Sequence, residues 1–147
     1  MEYLKRAMEI QAEVVANRRY LHQHPELGHN LDNTVRFVKE KLTEMGYAPA
    51  DCGDHGIVAL AGGKKPGKCI LIRADMDALP MKEESGLEFS SLTDSAAHTC
   101  GHDTHTAMLL GAAKLMFIVI FVVIAANTVE CVPKAVDNPD ALAVEFP

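Results

Sequence analysis

Apolar positions recur at three- and four-residue steps in three separate stretches of this chain. Over residues 3–24 they run Leu4, Met8, Gln11, Val15, Arg18, Leu21, apolar at first and mixed later, which predicts one helix. Pro25 stops it, because a residue before proline avoids the helical region. Leu31, Val35, Val38, Leu42 and Met45 form a second stripe, predicting a helix over residues 33–45. Asp32 or Asn33 can cap that helix and Gly46 can end it. Met108, Leu109, Ala112 and Leu115 predict a third over residues 104–115, with Asp103 or Thr104 as N-cap.

Between the second and third helices the pattern changes to short continuous runs. Ile57-Val58-Ala59-Leu60 reads as a strand. Cys69-Ile70-Leu71-Ile72 reads as a second, buried on both faces, with Cys69 a core thiol. The segment Gly62-Gly63-Lys64-Lys65-Pro66-Gly67 is a turn rather than a phosphate loop, having neither a G-K-[ST] ending nor a following helix. Residues 81–97 are polar and Ser-rich, a loop of the length that often carries function. Leu115 to Ala126 is twelve apolar residues without a break. Extended back to Ala107 it approaches the ~20 residues of a membrane span. Its β-branched content over residues 117–124 favours a third buried strand instead.

Composition narrows the class. At 147 residues and 48% apolar, the chain holds one domain or a piece of one. The net charge of −6 comes with no Lys/Arg block, which argues against a nucleic-acid partner. Cys52, Cys69, Cys100 and Cys131 form no C-x-x-C pair, and the N-terminus leads into an amphipathic pattern rather than a signal peptide. A reducing, cytoplasmic setting is the expectation.

The chemistry concentrates at His98-Thr99-Cys100-Gly101-His102-Asp103-Thr104-His105, with four possible metal donors within eight residues. Asp75 and Asp77 lie two apart at the end of the second strand, so they project to one side, where open α/β sheets place their sites. Two such carboxylates repel unless a cation or donors compensate. His22 and His24 flank the first helix's end, where a histidine serves more often as a polar cap than in catalysis. A structural zinc site built from His98, Cys100, His102 and His105 is geometrically awkward, since such sites draw on separated ligand pairs. A Cys100 nucleophile with His102 as base lacks any specified orienting partner.

Three stretches carry a family resemblance: His24-Pro25-Glu26-Leu27-Gly28, Ile72-Arg73-Ala74-Asp75-Met76-Asp77-Ala78-Leu79-Pro80, and His98 through Thr106. They resemble the N-terminal motifs of the metal-dependent N-acyl-amino acid amidohydrolases, of the hippurate hydrolase, auxin-conjugate hydrolase and N-acetyldiaminopimelate deacetylase type, in the aminoacylase-like clan of dinuclear metallopeptidases. The resemblance covers about residues 1–115. It implies an α/β fold, a partial, truncated three-layer α/β/α catalytic domain of zinc-peptidase type. It implies two divalent cations, zinc or manganese, and hydrolysis of an amide in a small N-acyl amino acid or peptide-like substrate. Cys100 and His102 match metal-ligand positions, Cys100 at the one bridging the two metals. Asp77 matches the acid that orients a ligand, and Asp75 receives no ligand role.

The family's Gln-Pro-Ala-Glu-Glu-like motif, with its glutamate base, and its later histidines have no match here. The expected division is therefore residues 1–116, the N-terminal part of the catalytic domain, and residues 117–147, a divergent tail. The chain is expected to be incomplete and inactive alone. The alternative is a non-catalytic remnant holding at most one metal weakly. A sheet of three strands is also expected to leave apolar surface exposed for self-association.

Overall fold

The computed structural model describes residues 2–61, 71–116 and 120–124. Four helices and four strands lie among them: α1 (Glu2–Glu9), α2 (Gln11–Gln23), α3 (Asp32–Glu44), β1 (Ala50–Cys52), β2 (Gly56–Ala61), β3 (Leu71–Ala74), α4 (His102–Leu115) and β4 (Ile120–Ile124). The strands form one sheet in the order β1-β2-β4-β3. β4 pairs antiparallel with β2 (Ile57↔Ile124 to Ala61↔Ile120) and parallel with β3 (Leu71↔Phe121 to Ala74↔Ile124). Parallel neighbours need a crossover, and α4 provides it. The apolar run after α4 is thus an inner strand, as its β-branched residues suggested, and no helix among the described residues is long and apolar enough to cross a membrane.

The core lies between α3, α4 and one face of the sheet. Leu31, Val38 and Leu42 meet Ile57, Ala59, Ala74 and Met76 from one side and Leu109, Leu110 and Ala113 from the other. Tyr47 closes its edge, donating its hydroxyl to the Ala113 carbonyl at 2.7 Å. α1 and α2 form an outer layer on α4. Gly111 permits that contact: a Cβ there would sit 2.8 Å from Val14 Cγ2.

Several expectations need correction. The helix expected over residues 3–24 is two, interrupted at Ile10, whose ψ of 0° leaves the helical range while its amide still reaches Arg6. The outer stripe of that pair stays open, with Leu4 and Met8 well exposed. β1 is a strand the pattern did not show, being three residues long with Asp51 at its centre. The described part of the second strand, Leu71–Ala74, alternates: Leu71 and Arg73 are exposed, Ala74 is buried. It therefore lies at an edge of the sheet among the described residues rather than being buried on both faces. The glycine-rich turn and Cys69 lie outside the described residues. The helical stop at Gly46 holds: with φ 88° it turns the chain so that the Tyr47 amide reaches the Leu42 carbonyl at 3.0 Å.

Candidate metal centre

β3 ends at Ala74 and delivers Asp75 and Asp77 beside the first turn of α4. Three side chains meet there. Asp75, His102 and His105 place ligand atoms all within 4.8 Å of one another. The two histidines are three apart on α4, so they share a face, and their rings lie 5.6 Å apart. His105 Nδ1 is 4.0 Å from Asp75 Oδ2, and Arg73 forms an ion pair with Asp75 Oδ1. Thr106 donates its hydroxyl to the Asp75 carbonyl at 2.8 Å, tying the strand end to the helix.

His102 is oriented twice by one residue. Its Nδ1–H donates to the Asp77 carbonyl at 2.9 Å and to Asp77 Oδ1 at 3.0 Å. Both partners only accept, so the proton sits on Nδ1 and the Nε2 lone pair is free. A histidine held this way is arranged as metal-ligating histidines are, with the second ring nitrogen anchored by a carboxylate or carbonyl. Two imidazoles and one carboxylate form a donor set suited to a divalent first-row cation. Ligand bonds of about 2.0–2.2 Å need small side-chain shifts to close the group, and half-exposed His105 has the freedom for them. These residues fit a cation.

Of the residues singled out from sequence, Asp77 and His102 are together. Cys100 is exposed in the turn before α4 and lies outside the Asp75–His102–His105 group. Asp75 and His105, which received no ligand role, are inside it. α4 starts at His102 rather than residue 104, with Gly101 as N-cap at φ 86° in place of Asp103 or Thr104.

A second set of polar groups is buried behind the site. Asp103 is enclosed, its Oδ2 accepting from Arg18 Nε at 2.8 Å and His22 Nδ1 at 2.6 Å. His22 Nε2 faces Glu83 Oε1 at 3.1 Å. His24, by contrast, is the exposed helix-end residue expected of both histidines, its ring bonding the Tyr20 carbonyl at 2.8 Å. His98 is buried beside His22, and neither ring nitrogen has a partner among the described residues. Burial depresses its pKa to about 4 against the pull of Asp103, so it stays neutral. Nothing in the sequence separates His22 from His24, because the buried contact spans residues 22 and 103.

Comparison with known proteins places this geometry. Residues 71–119, which span β3, the site and α4, match the model of peptidase family M20/M25/M40. An N-acyl-L-amino acid amidohydrolase of Geobacillus stearothermophilus is 45% identical over 78% of this chain and 31% of its own length. Thermostable carboxypeptidase 1 of Saccharolobus solfataricus is 43% identical over 74% of this chain and 28% of its own. The chain thus spans about a third of the length of these curated relatives. Among solved structures, a dinuclear metal-binding peptidase of family M20 from Bacillus subtilis superposes with a TM-score of 0.74 at 32% identity, over 80% of this chain and 35% of that one. The shared strand–site–helix unit, the identity to these relatives and the superposition together make this chain a member of peptidase family M20/M25/M40.

Proposed function

We propose that this chain contributes the N-terminal share of a dinuclear metal centre that hydrolyses the amide of an N-acyl amino acid or a peptide-like substrate. The observation that carries the reading is the convergence of Asp75, His102 and His105, with His102 oriented by Asp77. The names of the relatives, an amidohydrolase and a carboxypeptidase, support the substrate class. A bound divalent cation, zinc or manganese, supplies the charge that polarises an amide carbonyl and acidifies water. His102 presents Nε2, Asp77 keeps the proton on Nδ1, and Asp75 brings negative charge to the same point. Cys100, two residues before His102, is the further donor we assign on family grounds.

A cation takes about four ligands or more, so the donors described here suffice for one cation and fall short of two. That shortfall favours the second reading, a chain that binds one cation without turnover. Titrating the purified chain with zinc or manganese, with N-acetyl and N-benzoyl amino acids as substrates, separates the two. Two tight sites and a rate above the metal-only control support the hydrolase. One weak site and no rate in a folded sample supports the second reading. No binding of either cation sinks both.

The same reading divides the chain at residues 116 and 117. The family match ends at residue 119, which supports a family-type part over residues 1–116 and a divergent tail over 117–147. β4, within that tail, nonetheless completes the sheet. Self-association belongs to the reading too. Leu4, Met8, Val15 and Met108 line an open apolar groove of about 680 Å³ between α1, α2 and α4; a monomer by light scattering at high concentration would remove it. The exposed Cys100 thiol is in keeping with a reducing, cytoplasmic setting.

A further inference from the structure

Helix α4 begins without a local cap. Gly101 stands at its N-cap and, among the described residues, no side chain makes the cap hydrogen bond that Ser, Thr, Asp or Asn usually makes. Yet that turn carries His102, whose place relative to Asp75 and Asp77 decides whether a cation site exists. The anchor is Asp103. It follows His102 in the helix and so faces about 100° round the axis, where it meets α2. Its side chain is fully enclosed and accepts from Arg18 Nε at 2.8 Å and from His22 Nδ1 at 2.6 Å. His22 carries the line on to Glu83, and Glu83 accepts the Ser91 amide at 2.7 Å. One buried polar line thus joins α2, the first turn of α4 and the loop over residues 81–97.

We propose that Asp103, held by Arg18 and His22, is a positioning residue for His102. It sets the first turn of α4 so that His102 Nδ1–H meets the carbonyl and carboxylate of Asp77 and the Nε2 lone pair stays free. Only the arrival of a cation at Nε2 rests on the metal reading above; the positioning itself does not. A plain structural clamp is the competing account. The α2–α4 packing, however, has supports elsewhere. Val14 packs on Gly111 in mid-helix, and Glu13 pairs with Lys114 in the last turn of α4. Asp103 is the α2 contact that adjoins His102.

The test uses the full chain and two readouts, one of them free of metal. In the metal-free protein, long-range ¹H–¹⁵N NMR of the histidine rings reports the His102 tautomer. Cobalt(II) titration, followed by absorption, reports the site. Wild type shows the single Nδ1–H form. Asp103→Asn gives a mixture of tautomers and binds cobalt at least about tenfold more weakly, the scale seen when an orienting partner is lost. Lys114→Gln, which cuts the other tie between the same helices, changes neither readout. Leu42→Ala, a core variant chosen to match the loss in Tm, also keeps the single tautomer. An Asp103→Asn protein with wild-type tautomer and affinity overturns the proposal, as does the same tautomer change in Leu42→Ala. A wild-type chain that binds no cobalt removes the metal reading, and the tautomer comparison then decides alone. If Asp103→Asn does not fold, Arg18→Gln removes one of the two donors from a partly exposed side chain and is read in the same way.

Discussion

Glu26 Oε2 accepts the backbone N–H of Thr34 at 2.7 Å, and its Oε1 accepts the backbone and side-chain N–H groups of Asn33 at 3.2 and 2.8 Å. A carboxylate eight residues upstream therefore caps α3, whose own N-cap position holds Leu31 and bonds nothing through its side chain. The negative charge also lies where the helix dipole favours it. The stretch His24-Pro25-Glu26 is explained by this contact: Pro25 ends α2, and Glu26 starts α3.

Glu26→Ala should lower stability by about 1 kcal/mol, the usual cost of losing a cap. The effect should depend on pH. Burial pushes the Glu26 carboxyl up, but the donations from Thr34 and Asn33 outweigh it and hold the pKa below its ordinary 4.5. A pKa lowered by folding means the unfolded chain takes up protons first as pH falls. The contribution is then complete above about pH 4.5 and is lost as pH falls through the folded value. Denaturant melts of wild type and Glu26→Gln should differ at pH 7 and converge at the acid end; a constant gap would refute the charge as the cause.

Glu83 gives a wider acid window. Burial opposes its charge, but Ser85, the Ser91 amide and His22 bring its pKa down to about 2. Its contribution is full above pH 4.5 and drains away between there and about pH 2. Glu83→Gln should loosen the loop over residues 81–97 at neutral pH, read as faster amide hydrogen exchange at Ser91. Unchanged exchange at Ser91 would show that the loop is held by other contacts.

How much of this was legible beforehand follows a physical divide. The helix stripes Val38–Leu42 and Leu109–Ala112 were plain because their period is local. So was the strand after α4, from its β-branched run. The His102–Asp77 pairing was reachable only through the motif resemblance. Asp75 and His105 are candidate donors by type, but their meeting depends on the angle between β3 and α4, which no spacing encodes. Asp103 looked like a cap, the usual office of an aspartate at a helix start; the left-handed Gly101 took the cap position and freed the carboxylate to reach Arg18 and His22. β1 escaped because three residues carry too little pattern, and the Ile10 interruption because the apolar spacing runs straight across it.

Gly111 offers a test of the outer layer. Alanine there gains up to about 1 kcal/mol of helix propensity. Its Cβ, however, meets Val14 Cγ2 at 2.8 Å, and overpacking costs about 1–3 kcal/mol. Val14 is β-branched and held on α2, so it cannot swing aside cheaply. Gly111→Ala should therefore be destabilising by about 1 kcal/mol, and Val14→Ala in the same chain should recover much of that loss through coupling between the two sites. A thermal melt in which Gly111→Ala is more stable than wild type would show that α2 shifts outward to accommodate it.

Asp77 is the sharpest probe of the site itself, because it touches His102 and is not in the converging donor group. Removing its carboxylate leaves the backbone carbonyl still accepting from Nδ1, so the tautomer should survive in Asp77→Ala while the ring gains freedom to turn. Lost orientation of a ligating histidine costs about 10–100-fold in metal affinity. Asp77→Asn should fall at the mild end of that range, since its amide oxygen can still accept. His102→Ala should abolish binding, and Cys100→Ser should weaken it if the thiol joins the site when the cation arrives. Calorimetric titration of wild type and the four variants with zinc gives the order directly. Equal affinity in wild type and Asp77→Ala would mean that the helix and the Asp77 backbone carbonyl hold the ring and that the Asp77 carboxylate has no part in presenting Nε2.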